Sequence, residues 1–111
     1  MRQVFLRVTL GILVCFVTLA VPSFLEAQND GATIFKSKCA LCHGANGAGD
    51  SPTGKALKVK DLRSDETQKQ SDADLSSTIA KGRNKMPAFG ERLKPEEIQQ
   101  VVAYIRQLGK K

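Results

Sequence analysis

Cys39, Cys42 and His43 are the residues best suited to do chemistry. They stand in the run Cys39-Ala40-Leu41-Cys42-His43, two thiols three positions apart with an imidazole beside the second. Thiols at this spacing can add across the two vinyl groups of a haem, and the neighbouring imidazole can reach the iron from the same side. Cys-x-x-Cys-His is the attachment signature for c-type haem. Other readings are weaker. A thioredoxin-like redox pair needs a strand before it and a helix opening after it, whereas Gly31 to Lys38 reads as helix. A structural zinc site needs four ligands. With Cys15 assigned to a removed leader, only Cys39, Cys42 and His43 remain. A Cys39–Cys42 disulfide would close so short a loop that it gains little entropy.

Iron held on one side by His43 takes a second ligand opposite. The chain has one His, which excludes a second imidazole from the same chain, and two Met, of which Met1 is the initiator. Met86 is therefore the thioether candidate. A methionine is usually core filler, but this one sits in a loop with Gly82, Asn84 and Pro87, and Pro87 biases it toward an extended backbone. Lys85 and an open sixth position are the rivals. His/Met ligation raises the reduction potential and closes the iron to oxygen and peroxide. Such a protein moves single electrons and is no enzyme. The second ring nitrogen of His43 should donate to a backbone carbonyl, for which Pro52 is the candidate.

The elements that position these groups read as helices. The chain has 111 residues, one small domain at most. Arg2 and Arg7, the apolar run Val8 to Val21, Pro22 and the stretch to Ala27 form a secretory signal peptide in charge, length and order. The expected domains are thus a leader over 1–27 and a globular unit over 28–111, exported to the periplasm, where such cysteines are handled oxidatively. A unit this small is marginal without a staple, and a haem would supply apolar volume. Asp30 is expected to cap a first helix from about Gly31 to Ala40, with Phe35 in the core. Gly44 to Pro52 reads as loop, and Thr53 to Asp61 as a short helix or turn carrying Leu57, Val59 and Leu62 inward. Ser71 opens a helix with Leu75 and Ile79 on one face and Gly82 at its end. The last helix opens at Pro95, turns Ile98, Val101, Val102, Ile105 and Leu108 inward, and ends at Gly109. No alternating strand pattern occurs. Gly49 to Lys55 imitates a phosphate-binding loop, but Ala56 stands where the magnesium-binding hydroxyl belongs.

In order and motif the chain resembles the small bacterial monohaem class I c-type cytochromes. Gly31, Phe35, the Cys39–His43 motif, Met86-Pro87 and a final helix with Tyr104 all follow the family's order. The resemblance covers nearly all of residues 28–111. It implies an all-α cytochrome c class I fold, three to five helices wrapped around one covalently bound haem c. It also implies Cys39 and Cys42 as the covalent attachment points, His43 and Met86 as axial ligands of the iron, contact among Gly31, Phe35, Val101 and Tyr104, and Pro52 as acceptor of the histidine's proton. Lys94 departs from the Ser or Thr expected before Pro95. With no Trp in the chain, Arg63 or Lys60 is left to hold the propionates.

Charge bears on partners. The whole chain carries 17 Lys/Arg and 11 Asp/Glu. Removing Arg2, Arg7 and Glu26 leaves 15 and 10, a net +5. This suits redox proteins with acidic docking surfaces, met by lysines such as Lys36, Lys38, Lys55, Lys58 and Lys85. Interspersed acids and the lack of aromatic-interleaved basic patches argue against nucleic acid. The expected protein is a monomeric periplasmic electron shuttle between respiratory or photosynthetic partners, with at most loose membrane association. The alternatives are a haem c module of a membrane oxidase or dehydrogenase, and an open-iron haem sensor or peroxidase.

Overall fold

The computed structural model describes residues 24–111. The basic and apolar parts of the expected signal peptide, Cys15 included, lie outside them. Among the described residues there are six helices and no strand: α1 (Phe24–Lys38), α2 (Ala40–His43), α3 (Pro52–Leu57), α4 (Asp65–Gln68), α5 (Asp72–Lys81) and α6 (Pro95–Leu108). Three are substantial, α1, α5 and α6. The count exceeds the three to five expected because α2 and α4 are single turns of four residues.

α6 organises the core. Ile98, Val101, Val102, Ile105 and Leu108 recur at three- and four-residue intervals and are all buried, forming a continuous apolar stripe. Pro95 occupies the first helical turn, and the Glu97 carboxylate accepts from the Lys94 amide at 2.7 Å. The half of a cap that Lys94 does not supply is thus supplied from three residues on. α1 packs across this helix. At the crossing Gly31 lies against the backbone of Gln100, and Phe35, fully buried, sets its ring 5.3 Å from that of Tyr104. Asp30 does not cap α1 as expected. Asp30 lies within the helix, which already runs through Leu25, Glu26, Ala27 and Gln28, good helix formers upstream of it.

α5 closes the core from another side. Ser71 caps it, its hydroxyl oxygen accepting from the Asp74 amide at 3.0 Å. The Ser71 hydroxyl in turn donates to the Asp74 carboxylate at 2.7 Å. Leu75 and Ile79 face inward, and the chain leaves at Gly82 with φ 72°. The segment joining α5 to α6 is anchored more firmly than its composition suggests. The Phe89 amide donates to the Ile79 carbonyl at 2.9 Å and Gly90 to Ala80 at 3.0 Å, so Phe89 and Leu93 are core residues.

The middle of the chain is tied to the end of α6 by two side chains. Gln68 donates to the carbonyls of Leu62 at 2.7 Å and Ile105 at 3.1 Å. Arg106, half-buried, donates to the Gln68 carbonyl at 2.8 Å and to that of Gln70, and pairs with Asp72 at 2.8 Å. Charge-assisted bonds of a guanidinium fork hold three acceptors in one fixed geometry.

Candidate haem site

Cys39 sits at the joint between α1 and α2. Its amide still bonds the Phe35 carbonyl at 2.8 Å, while its own carbonyl accepts from Cys42 at 3.2 Å and His43 at 2.9 Å. One helical turn therefore separates the two thiols, which makes them neighbours on the same surface. Leu41, pointing away, is 74% exposed.

The turn is held from below by Ser51. Its hydroxyl donates to the Leu41 carbonyl at 2.7 Å, lies 3.1 Å from that of Cys42, and accepts from the Gly54 amide at 2.9 Å as the cap of α3. Gly54 allows this approach: a β-carbon there would meet the Cys42 carbonyl oxygen at 2.2 Å. The loop returns through a bond from the Gly49 amide to the His43 carbonyl at 2.7 Å.

His43 packs with its ring centroid 6.4 Å from that of Phe35, the planes tilted by 42°. Burial holds its pKa below the ordinary histidine value, because the charged form loses hydration. The ring is therefore neutral and keeps a lone pair for a metal. Nδ1 is buried with no hydrogen-bond partner. The bond expected to the Pro52 carbonyl is absent. Pro52 is exposed at the first position of α3, where a carbonyl is directed along the helix axis. Burial also pushes the Cys39 thiol up to about 11.

Met86 ends a tight turn. The amide and carbonyl of Arg83 bond the carbonyl and amide of Met86 at 3.1 and 2.9 Å, and Asn84 takes a positive φ of 53°, a conformation asparagine tolerates. The turn delivers the half-buried Met86 to an apolar cleft that Cys39 and His43 also line. Leu75, Ile79, Val101 and Ile105 supply its floor from α5 and α6, and Leu62 contributes from the α3–α4 loop. Cys42 is partly buried and outside that lining. Leu57 and Val59 are half-buried and do not reach it either. Lys60 and Arg63, the sequence candidates for propionates, are engaged by carboxylates of the chain. Lys60 pairs with Glu66, and Arg63 forms a two-pronged pair with Asp61 at 2.9 Å.

The residues present fit a haem. The cleft is apolar, and an imidazole and a thioether open into it. Sequence reasoning missed Ser51, Gly54 and Gln68 as supports. Only Ser51-Pro52, a cap residue before a proline, carried a local signal.

The comparisons with known proteins point the same way. The family model described as cytochrome C oxidase, cbb3-type, subunit III matches residues 26–105. Cytochrome c6 of Nostoc sp. is 37% identical over 110 residues, covering 99% of this chain and 95% of that protein. Cytochrome c6 of Anabaena variabilis is 43% identical over 81 residues, covering 73% and 88%. The cbb3-type cytochrome c oxidase subunit FixP of Azorhizobium caulinodans is 38% identical over 91 residues, covering 81% of this chain and 30% of that protein. Among solved structures, KustC0563 c-type cytochrome superposes with a TM-score of 0.66 at 31% identity, covering 71% of this chain and 96% of that one. The chain belongs to the monohaem c-type cytochromes, related to cytochrome c6 and to the cytochrome domain of cbb3 oxidase subunit III. The helical architecture is the cytochrome c fold. The protein is an electron carrier of the cytochrome c6 kind, not an enzyme.

Proposed function

We propose that this chain is an exported one-electron carrier, its haem attached through Cys39 and Cys42 and gripped by His43 and Met86. The observation that carries the reading is the convergence of the chain's one histidine and of Met86 on a single apolar cleft, which Cys39 also lines. Bound there, haem supplies a one-electron couple at its iron. The protein's residues set the conditions. His43, neutral through burial, offers its lone pair without first losing a proton. The Met86 thioether is a soft, weak donor that favours the reduced state. Leu75, Ile79, Val101 and Ile105 exclude water, which strengthens the influence of every fixed dipole on the site. Partners are redox proteins, and the leader over 1–27 directs the domain to the periplasm.

The visible spectrum tests the ligation. Protein matured in a haem-attaching host should show c-type bands when reduced and the weak far-red sulfur-to-iron band when oxidised. Met86→Ala should abolish that band, lower the potential and let carbon monoxide bind rapidly. Colourless protein with the mass of the bare polypeptide would refute covalent attachment. A second reading, a haem module within a membrane oxidase, is supported by the likeness to FixP. Holoprotein recovered only in a membrane complex would favour it, and holoprotein free in the periplasmic fraction would favour the carrier.

A further inference from the structure

The walls of the cleft differ in how they are held. Leu75, Ile79, Val101 and Ile105 belong to the long helices α5 and α6, whereas Leu62 comes from the connection between α3 and α4. No helical ladder fixes Leu62, so its place depends on two other hydrogen bonds. Its amide donates to the Gly47 carbonyl at 2.8 Å, and its carbonyl accepts from the Gln68 side-chain nitrogen at 2.7 Å. That same nitrogen donates to the Ile105 carbonyl at 3.1 Å. Leu62 and Ile105 both line the cleft. One side-chain amide therefore bridges the backbones of two of its wall residues.

The surroundings leave Gln68 one way to sit. Two carbonyl oxygens face its amide, and only the two N–H bonds of its nitrogen can satisfy both. Ile105 lies in the last turn of α6, where helical donors run out, and the Gly109 amide reaches its carbonyl only at 3.3 Å. Gly109 also gives the side chain its room: a β-carbon there would stand 2.3 Å from the Gln68 Cδ. Arg106 donates to the Gln68 carbonyl at 2.8 Å, which fixes the main chain from which the side chain starts.

We propose that Gln68 is a positioning residue of the haem site: by bridging Leu62 to Ile105 it keeps the Leu62 wall closed to water and so holds the reduction potential up. This role rests on the electron-carrier reading and adds to it a residue that acts on the iron only through another. The reason is charge. Oxidised iron carries one positive charge more than reduced iron, so water admitted to the cleft favours the oxidised state and lowers the potential. Leu62 is half-buried, at the boundary between cleft and solvent, so its displacement opens the cleft. One electron enters or leaves at the iron, and Gln68 neither gains nor loses a proton.

The test is a spectroelectrochemical titration of the holoprotein, joined to amide hydrogen exchange. Gln68→Met keeps the side chain's length and the net charge but donates nothing. It should lower the midpoint potential and speed exchange of the Leu62 amide about tenfold, as that segment opens more often. Leu62→Ala should lower the potential by itself. In that background Gln68→Met should add no further shift, because the one residue acts through the other. An intact far-red band in each variant shows that the iron's ligands are undisturbed. An unchanged potential in Gln68→Met or in Leu62→Ala overturns the proposal. So does an equal shift from Gln68→Met in both backgrounds, and so does a loss of stability with potential and Leu62 exchange unmoved, which would make Gln68 a support of the fold alone. Should Gln68→Met not fold, Gln68→Asn keeps the donors but is one methylene too short to span both carbonyls. It should shift the potential the same way by less, and no shift overturns the proposal. Absence of c-type bands in the wild type would instead refute the haem reading beneath it, a separate outcome.

Discussion

Gly31 and Gln100 meet backbone to backbone: a β-carbon on Gly31 would stand 2.2 Å from the Gln100 carbonyl oxygen and 3.4 Å from the Tyr104 β-carbon. The close crossing of α1 and α6 depends on that missing methyl. Gly31→Ala gains about 1 kcal/mol in helix propensity, yet the overlap falls on backbone that cannot rotate aside. Pushing the helices apart should cost more, a net loss of roughly 2 kcal/mol. Urea denaturation checks this. Gly90→Ala, whose β-carbon would meet the Ala80 carbonyl oxygen at 3.0 Å, should cost less. Equal midpoints for wild type and Gly31→Ala would show that the crossing tolerates a methyl.

Ser51 holds the Cys39–His43 turn as donor and the start of α3 as acceptor. Ser51→Ala should lose about 1–2 kcal/mol, while Ser51→Thr keeps both roles and stays near wild type. Ser51→Asp separates the roles, because a carboxylate can still cap Gly54 but repels the carbonyls of Leu41 and Cys42. It should be the least stable of the three. If Asp equals Thr in a denaturant titration, the bond to Leu41 contributes nothing.

The Cys39 thiol, pushed by burial to about 11, stays protonated at neutral pH. In haem-free, reduced protein carrying Cys42→Ser, the rate of alkylation by iodoacetamide should still be climbing between about pH 9 and 10. An ordinary exposed thiol would already be levelling off there. A plateau near pH 9 would show that the thiol is solvated.

Arg63 holds the Asp61 carboxyl below the usual carboxylate range, chiefly through hydrogen bonds from its side chain and amide. The sign follows from linkage: an acid whose folded pKa is depressed stabilises the fold above its unfolded pKa and loses that contribution as pH falls through the folded one. Both groups are at the surface, so the effect on stability is small. The titration itself is measurable by NMR. The Asp61 midpoint should lie below 3.8, and Arg63→Gln should bring it back up. An unmoved midpoint would mean that the pair does not persist in solution.

The parts of the fold that repeat with helical period were legible. Ile98, Val101, Val102, Ile105 and Leu108 could be placed on one face before any coordinates, as could Leu75 and Ile79 between the Ser71 cap and Gly82. α4 could not: Asp65-Glu66-Thr67-Gln68 has no apolar stripe, and it is secured by Gln68 reaching Ile105, 37 positions away. The burial of Phe89 and Leu93 was hidden for a similar reason. Their segment has loop composition, and its order comes from amides bonded to the exposed end of α5. Asp30 misled because a good cap residue also sits comfortably inside a helix when better helix formers precede it. At the candidate site, the residue types of Cys39, Cys42, His43 and Met86 suggested haem chemistry, and the fold brings Cys39, His43 and Met86 to one cleft. The supports did not, since Ser51 and Gly54 act through approach distances that no local pattern encodes.

Because α1 leans on α6, the domain's opening and closing helices are each other's partners. A nascent chain that has not yet released Val101 and Tyr104 has no wall for Phe35, however much of it is already made. Completion is therefore a single late event, and a stop codon anywhere before α6 leaves no smaller version of this protein to fold.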